Sequence, residues 1–116
     1  MRAASSAGVK IALGSDVQLG TALEYQRMIH HGLTPAQALA AATCTAADAL
    51  GLAGQMGRVS AGMLADLVIV DGDPLTEPAM LADAARIWLV LQLGVPVAGR
   101  ALEGQLGSGS GLQAAG

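Results

Sequence analysis

Few side chains in this sequence have the type and spacing to do chemistry, and the first is a carboxylate. Gly14-Ser15-Asp16 follows the short, partly β-branched run Val9-Lys10-Ile11-Ala12-Leu13. This places Asp16 at the C-terminal end of an expected strand. Where strands alternate with helices, the loops after the strand ends build the site, so a polar residue there faces it. A carboxylate so placed can bind a divalent metal and can take the proton from an attacking water. It can equally cap the turn or helix that follows, with Ser15 doing the same.

Three other groups carry less. His30-His31 lie about 100° apart around a helix, so they do not chelate one metal as an i, i+4 pair would. Just ahead of Gly32, they suit a helix C-terminus, where imidazole meets the negative end of the macrodipole. Cys44 lies between Thr43 and Thr45. A nucleophilic thiol needs a base and an electropositive setting, so a small half-hidden side chain is the reading here. Asp66, Asp71 and Asp73 lack the Gly and Glu positions of a calcium loop and read as strand-edge and turn residues.

The elements that must position these groups follow from local signals. After the expected strand, Leu23, Met28 and Ile29 with Ala22 and Tyr25 have helical spacing from about Gly20 to His31, and Gly32 is the stop. Thr34, Pro35 and Gln37 form a cap, a first-turn proline and a capping-box partner, which opens a second helix to about Thr43. Leu33 and Ala38 make a weak hydrophobic staple across that start. Thr45 and Asp48 repeat the Thr-x-x-acid pattern and open a third helix to Leu50, ended by Gly51. Past Gly57 the texture changes to strands: Ala65 to Asp71, Ile87 to Gln92 and Val95 to Ala98, with Leu93-Gly94 as the last turn. Pro96 has no amide donor, so its strand belongs at an edge. The predicted order is strand, three helices, three strands.

Composition narrows the class. The 116 residues are 53% hydrophobic and 13% charged, with one Trp, one Tyr and no Phe. Small aliphatic side chains must therefore fill the core. The mean hydropathy of +0.51 is high for a free monomer, which points to apolar surface that something else covers. A net charge of −3 without a basic run argues against a nucleic-acid surface. The apolar stretches are too short to span a bilayer, the first residues lack a signal-peptide core, and Cys44 has no disulfide partner in the chain. The expectation is a soluble cytoplasmic protein with no membrane partner.

Several motifs occur together in a familiar order. Gly8 to Asp16 is similar to the last barrel strand of the amidohydrolase superfamily. His31-Gly32-Leu33-Thr34-Pro35-Ala36-Gln37-Ala38-Leu39, with Glu24 before it and Ala41-Ala42-Thr43 and Ala47 to Leu52 after it, resembles the helix pair that follows that strand. Gly57-Arg58-Val59-Ser60-Ala61-Gly62-Met63-Leu64-Ala65-Asp66-Leu67-Val68-Ile69-Val70-Asp71, then Asp73-Pro74-Leu75, resembles the most recognisable segment of the superfamily. Val90 to Val97 is similar to its closing strand pair. The flavour is that of the imidazolonepropionase- and prolidase-like branch.

The resemblance implies an α/β fold. Residues 1–56 would be the last strand-helix unit of a (β/α)8 barrel, and 57–103 strands of a small β-sandwich built from both chain ends. Beyond the resemblance, the Gly-Ser run Gly107 to Gly111 makes residues 104–116 an expected flexible tail. The resemblance implies hydrolysis of amide, peptide or cyclic amide C–N bonds with divalent metal, usually zinc, and Asp16 as metal ligand and general base. The superfamily's His-x-His pair, bridging Lys and two later His ligands have no counterpart here, and Thr45 stands where many members have Asn. One carboxylate cannot hold a catalytic zinc that takes three protein ligands. The expectation is a C-terminal portion, inactive alone, acting on a small amide or peptide substrate once completed. The alternative is a non-catalytic module that self-assembles as a homo-oligomer or binds a complementing chain.

Overall fold

The computed structural model describes residues 1–14 and 20–104. Seven regular elements occur in it: α1 (Arg2–Ser6), α2 (Thr21–His30), α3 (Pro35–Ala42), α4 (Cys44–Ala49), β1 (Leu67–Val70), β2 (Ile87–Gln92) and β3 (Val95–Ala98). Single-turn 3₁₀ segments cover Pro78–Ala82, Ala84–Arg86 and Arg100–Leu102.

The helix boundaries come from a few backbone devices. Thr34 accepts from the Gln37 N–H at 3.1 Å, and the Gln37 side-chain oxygen accepts from the Thr34 N–H at 2.9 Å. That is the expected capping box, with Pro35 in the first turn. At the other end of α2, Gly32 has φ +111. Its N–H donates to Ile29 O at 3.0 Å and the Leu33 N–H donates to Met28 O at 3.1 Å. This six-to-one, five-to-two pair satisfies two carbonyls that the helix end leaves open. The same pair of bonds closes α1 at Gly8 and α4 at Gly51.

The helical core joins Tyr25, Met28, Leu33, Ala38 and Ala41, with Ile11, Leu13, Ile29, Leu39 and Leu81 packed against it. Ala38 and Ala41 are one turn apart on α3 and almost wholly buried. Their small side chains let α2 and α3 approach closely, and a larger residue at either would overpack the seam. Full burial of a side chain such as Met28 or Leu33 contributes about 1.5–3 kcal/mol.

The strands form one antiparallel sheet in the order β1-β2-β3. Val68 faces Val90, and Val90 faces Ala98, with a bulge in each pairing. β3, which holds Pro96, is an edge strand as its missing amide requires. The hairpin turns on Leu93 (φ 52) and Gly94 (φ 80), the two left-handed residues of a type I′ turn. The Asp66 carboxylate accepts from the Leu93 N–H at 2.8 Å, and Ala65 O accepts from the Gly94 N–H at 2.9 Å.

Two expectations change. Among the described residues, Val9 to Leu13 is not part of a sheet: it is irregular backbone whose Leu13 N–H donates to Ala41 O at 2.8 Å. A strand exists only where a neighbour completes its ladder, and every strand described here lies after residue 66. α4 begins at Cys44 rather than Thr45. Thr43 precedes it, with its hydroxyl donating back to Leu39 O at 2.7 Å, and Asp48 turns outward to Lys10 instead of supporting a cap.

Candidate functional site

Asp16 lies outside the described residues, as does the expected tail, residues 104–116, beyond Gly104. The described chain resumes on either side of residues 15–19. Leu13 is tied to α3 through Ala41, and α2 starts at Thr21 behind Gly20, whose φ of 82 turns the chain into the helix.

The histidines behave as helix-end residues. His30 ends α2, His31 follows as its C-cap, and both are exposed. Their rings stand edge to face at 5.4 Å between centroids. Arg27 lies in the same last turn, so three basic side chains meet the negative end of the helix. Cys44 is half-buried, and its thiol points back to Ala40 O at 3.8 Å. The neighbouring Thr43 hydroxyl is committed to Leu39 O.

The three aspartates are structural. Asp66 holds the β2–β3 turn, as above. Asp71 bonds through its backbone to Arg86 and lies 3.8 Å from Arg100. Asp73 accepts from the Leu75 N–H at 2.9 Å and shapes the turn into Pro78–Ala82. Among the described residues no three His, Cys, Asp or Glu side chains group to hold a metal ion. A catalytic zinc takes three protein ligands, so the described residues do not fit one.

Two features were not visible in the sequence. Lys10 and Asp48 form an ion pair at 2.8 Å beside a 410 Å³ hollow that Cys44, Gln37 and Arg58 also line. The hydrogen bond, and then the charge, of Lys10 holds the Asp48 carboxyl below its ordinary range, and Asp48 raises Lys10 in return. The second is Tyr25, 1% exposed, whose hydroxyl donates toward Pro74 O at 3.1 Å and Pro35 O at 3.3 Å. Burial, and then the Asp73 charge, pushes its pKa up. A lone tyrosine on the apolar face of an expected helix was the only available signal for it.

Beside Tyr25 a mostly apolar cleft of about 730 Å³ separates the helices from the sheet, lined in part by Leu39, Ala46, Met56, Leu67, Val70 and Ile87. Helices followed by an antiparallel sheet, in this order, are an arrangement that known proteins share. The chain belongs to the amidohydrolase family, whose profile matches residues 1–97. Its relatives lie in the branch of imidazolonepropionases and prolidases. It is 37% identical over 94 residues to the imidazolonepropionase of Chromobacterium violaceum, a match covering 75% of this chain and 22% of that protein. A crystal structure of a prolidase complexed with N-methylphosphonate-L-proline is 38% identical, with a TM-score of 0.73 over 83% of this chain and 24% of that one. The ochratoxinase of A. niger gives a TM-score of 0.77 at 31% identity, over 84% of this chain and 24% of its own. The chain thus spans about a fifth to a quarter of the length of the relatives it matches.

Proposed function

We propose that this chain is the C-terminal portion of a metal-dependent amidohydrolase that cleaves C–N bonds in small amides, peptides or cyclic amides. In this reading residues 1–56 are the last strand-helix unit of a (β/α)8 barrel, and Val9 to Leu13 becomes a strand when neighbouring strands lie beside it. Residues 57–103 are strands of a composite β-sandwich, and the setting is cytoplasmic. Asp16 is the carboxylate the chain brings to the site, as metal ligand and as the group that takes the proton from the attacking water. The remaining ligands of a divalent metal, zinc in the usual case, come from outside the described residues.

The observation that carries the proposal is the family match over residues 1–97, together with a fold that fits enzymes of the prolidase type over more than four-fifths of the chain. The test is calorimetric titration with Zn²⁺ alongside an assay of Xaa-Pro dipeptide and cyclic amide hydrolysis, for the chain and for Asp16→Asn. Weak metal binding that Asp16→Asn weakens further, with negligible turnover, is expected. Zinc binding indifferent to Asp16, or turnover by the chain alone, would overturn it.

A second reading is favoured by the apolar side chains on the sheet. Val68, Trp88, Val95 and Val97 are 44–60% exposed. A module that self-assembles or binds a complementing chain through this surface would bury them. Light scattering separates the two, since a stable monomer excludes self-assembly.

A further inference from the structure

The Tyr25 hydroxyl sits where three segments meet. Tyr25 itself is on α2, Pro35 opens α3, and Pro74 lies in the turn that leads from β1 to Pro78–Ala82. The phenol carries one hydrogen, and within 3.3 Å it meets two carbonyl oxygens, which only accept. The rest of this junction is apolar, with Leu81 packed on the α2–α3 core and Met80 buried beside it.

We propose that the Tyr25 hydroxyl is a proton-dependent latch that holds the helical half of the chain against the strand half. Loss of that one hydrogen removes both bonds at once and leaves a phenolate facing two carbonyl oxygens. Arg58 and Asp66, which line the same cleft as Tyr25, are of opposite sign and bring it no net counter-charge. Asp73, in the turn, is negative; Glu24 and Arg27 on α2 pair with each other at 2.9 Å. α3 has no charged residue, nor does Pro78–Ala82, and the neighbouring Glu77 is paired with Arg86 at 2.8 Å. Ionisation therefore opens the junction instead of merely weakening it. The latch goes beyond the hydrolase reading and does not depend on it.

The sign follows from linkage. Burial and Asp73 raise the Tyr25 pKa in the folded chain. The latch is fully closed below the ordinary phenol pKa of about 10, and stability falls as pH rises through the folded value.

The chain has one tyrosine and one tryptophan, and Trp88 lies on β2 in the half that lacks Tyr25. The experiment follows phenolate absorbance, Trp88 emission and amide exchange at Met28 and Leu81, the exchange taken relative to its hydroxide-catalysed intrinsic rate, from neutral pH to about pH 12. The phenolate should form above about pH 10, and Trp88 emission and exchange should change in the same step. Exchange should rise by up to about tenfold for each unit by which that step exceeds the free phenol. Lys10→Met removes the Lys10–Asp48 pair, which also titrates in this range, and should keep the step; adding Tyr25→Phe to that background should speed exchange at neutral pH and abolish the alkaline step. Phenolate formation near pH 10 with no change in the other probes would overturn the latch, as would an alkaline step that persists when Tyr25→Phe is combined with Lys10→Met. Should Tyr25→Phe not fold, the coincidence of the three probes in the parent chain decides.

Discussion

Gly57 and Gly51 separate two costs that a glycine substitution normally mixes. Both are left-handed, with φ of +94 and +74. An alanine at Gly51 meets nothing within 4 Å, so Gly51→Ala carries only the backbone penalty. That penalty is about 1–2 kcal/mol for an L-residue in this region. At Gly57 a new Cβ would stand 2.7 Å from the Ala47 Cβ, 3.0 Å from Thr43 O and 3.1 Å from the Cys44 Cα. Two of these contacts are with α4 backbone or its cap, which cannot swing away as a long side chain would. Overpacking adds about 1–3 kcal/mol, so Gly57→Ala should cost about 2–5 kcal/mol in total. With a urea slope of about 1 kcal/mol/M, the midpoint should fall by about 1–2 M for Gly51→Ala and by about 2 M or more for Gly57→Ala. Urea titration followed by circular dichroism reads both. Ala47→Gly should recover part of the Gly57→Ala loss, because it deletes the nearest contact, and the double variant measures that coupling. Equal midpoints for the two glycine variants, or no recovery with Ala47→Gly, would refute the steric argument.

Other outcomes follow from the same geometry. Leu93→Asn should stabilise the chain by about 0.5–1 kcal/mol, because Asn-Gly suits a type I′ turn that Leu93 enters at φ 52; a lower thermal midpoint would contradict this. Thr34→Ala should cost about 1 kcal/mol, measured by urea midpoint, since it leaves the Gln37 N–H of the capping box without its acceptor. Asp48, depressed by Lys10, contributes stability above the ordinary carboxylate range that is lost as pH falls; Lys10 contributes below the ordinary lysine range and loses it as pH rises. In Lys10→Met, or in high salt, an NMR titration should find the Asp48 midpoint moved back up; an unmoved midpoint would mean that the exposed pair does not persist in solution.

What the sequence determined by itself was whatever closes within a few residues. Thr34, Pro35 and Gln37 announced the start of α3, Gly32 and Gly51 the ends of α2 and α4, and Pro96 an edge strand, because each rests on bonds or sterics at separations of five or fewer. The antiparallel strands after Gly57 were legible for the same reason, through apolar runs broken by Asp, Gly and Pro. Asp16 was legible only as part of a motif, and its surroundings fall outside the described residues. Tertiary structure alone decided the contacts between distant positions: Lys10 with Asp48 across 38 residues, Asp66 with Leu93 across 27, and Tyr25 with Pro74 across 49. It also decided that Val9 to Leu13, with the composition of a strand, has no ladder here. Backbone preference is a property of one segment, but a hydrogen bond between segments exists only when the rest of the fold brings its second partner into place.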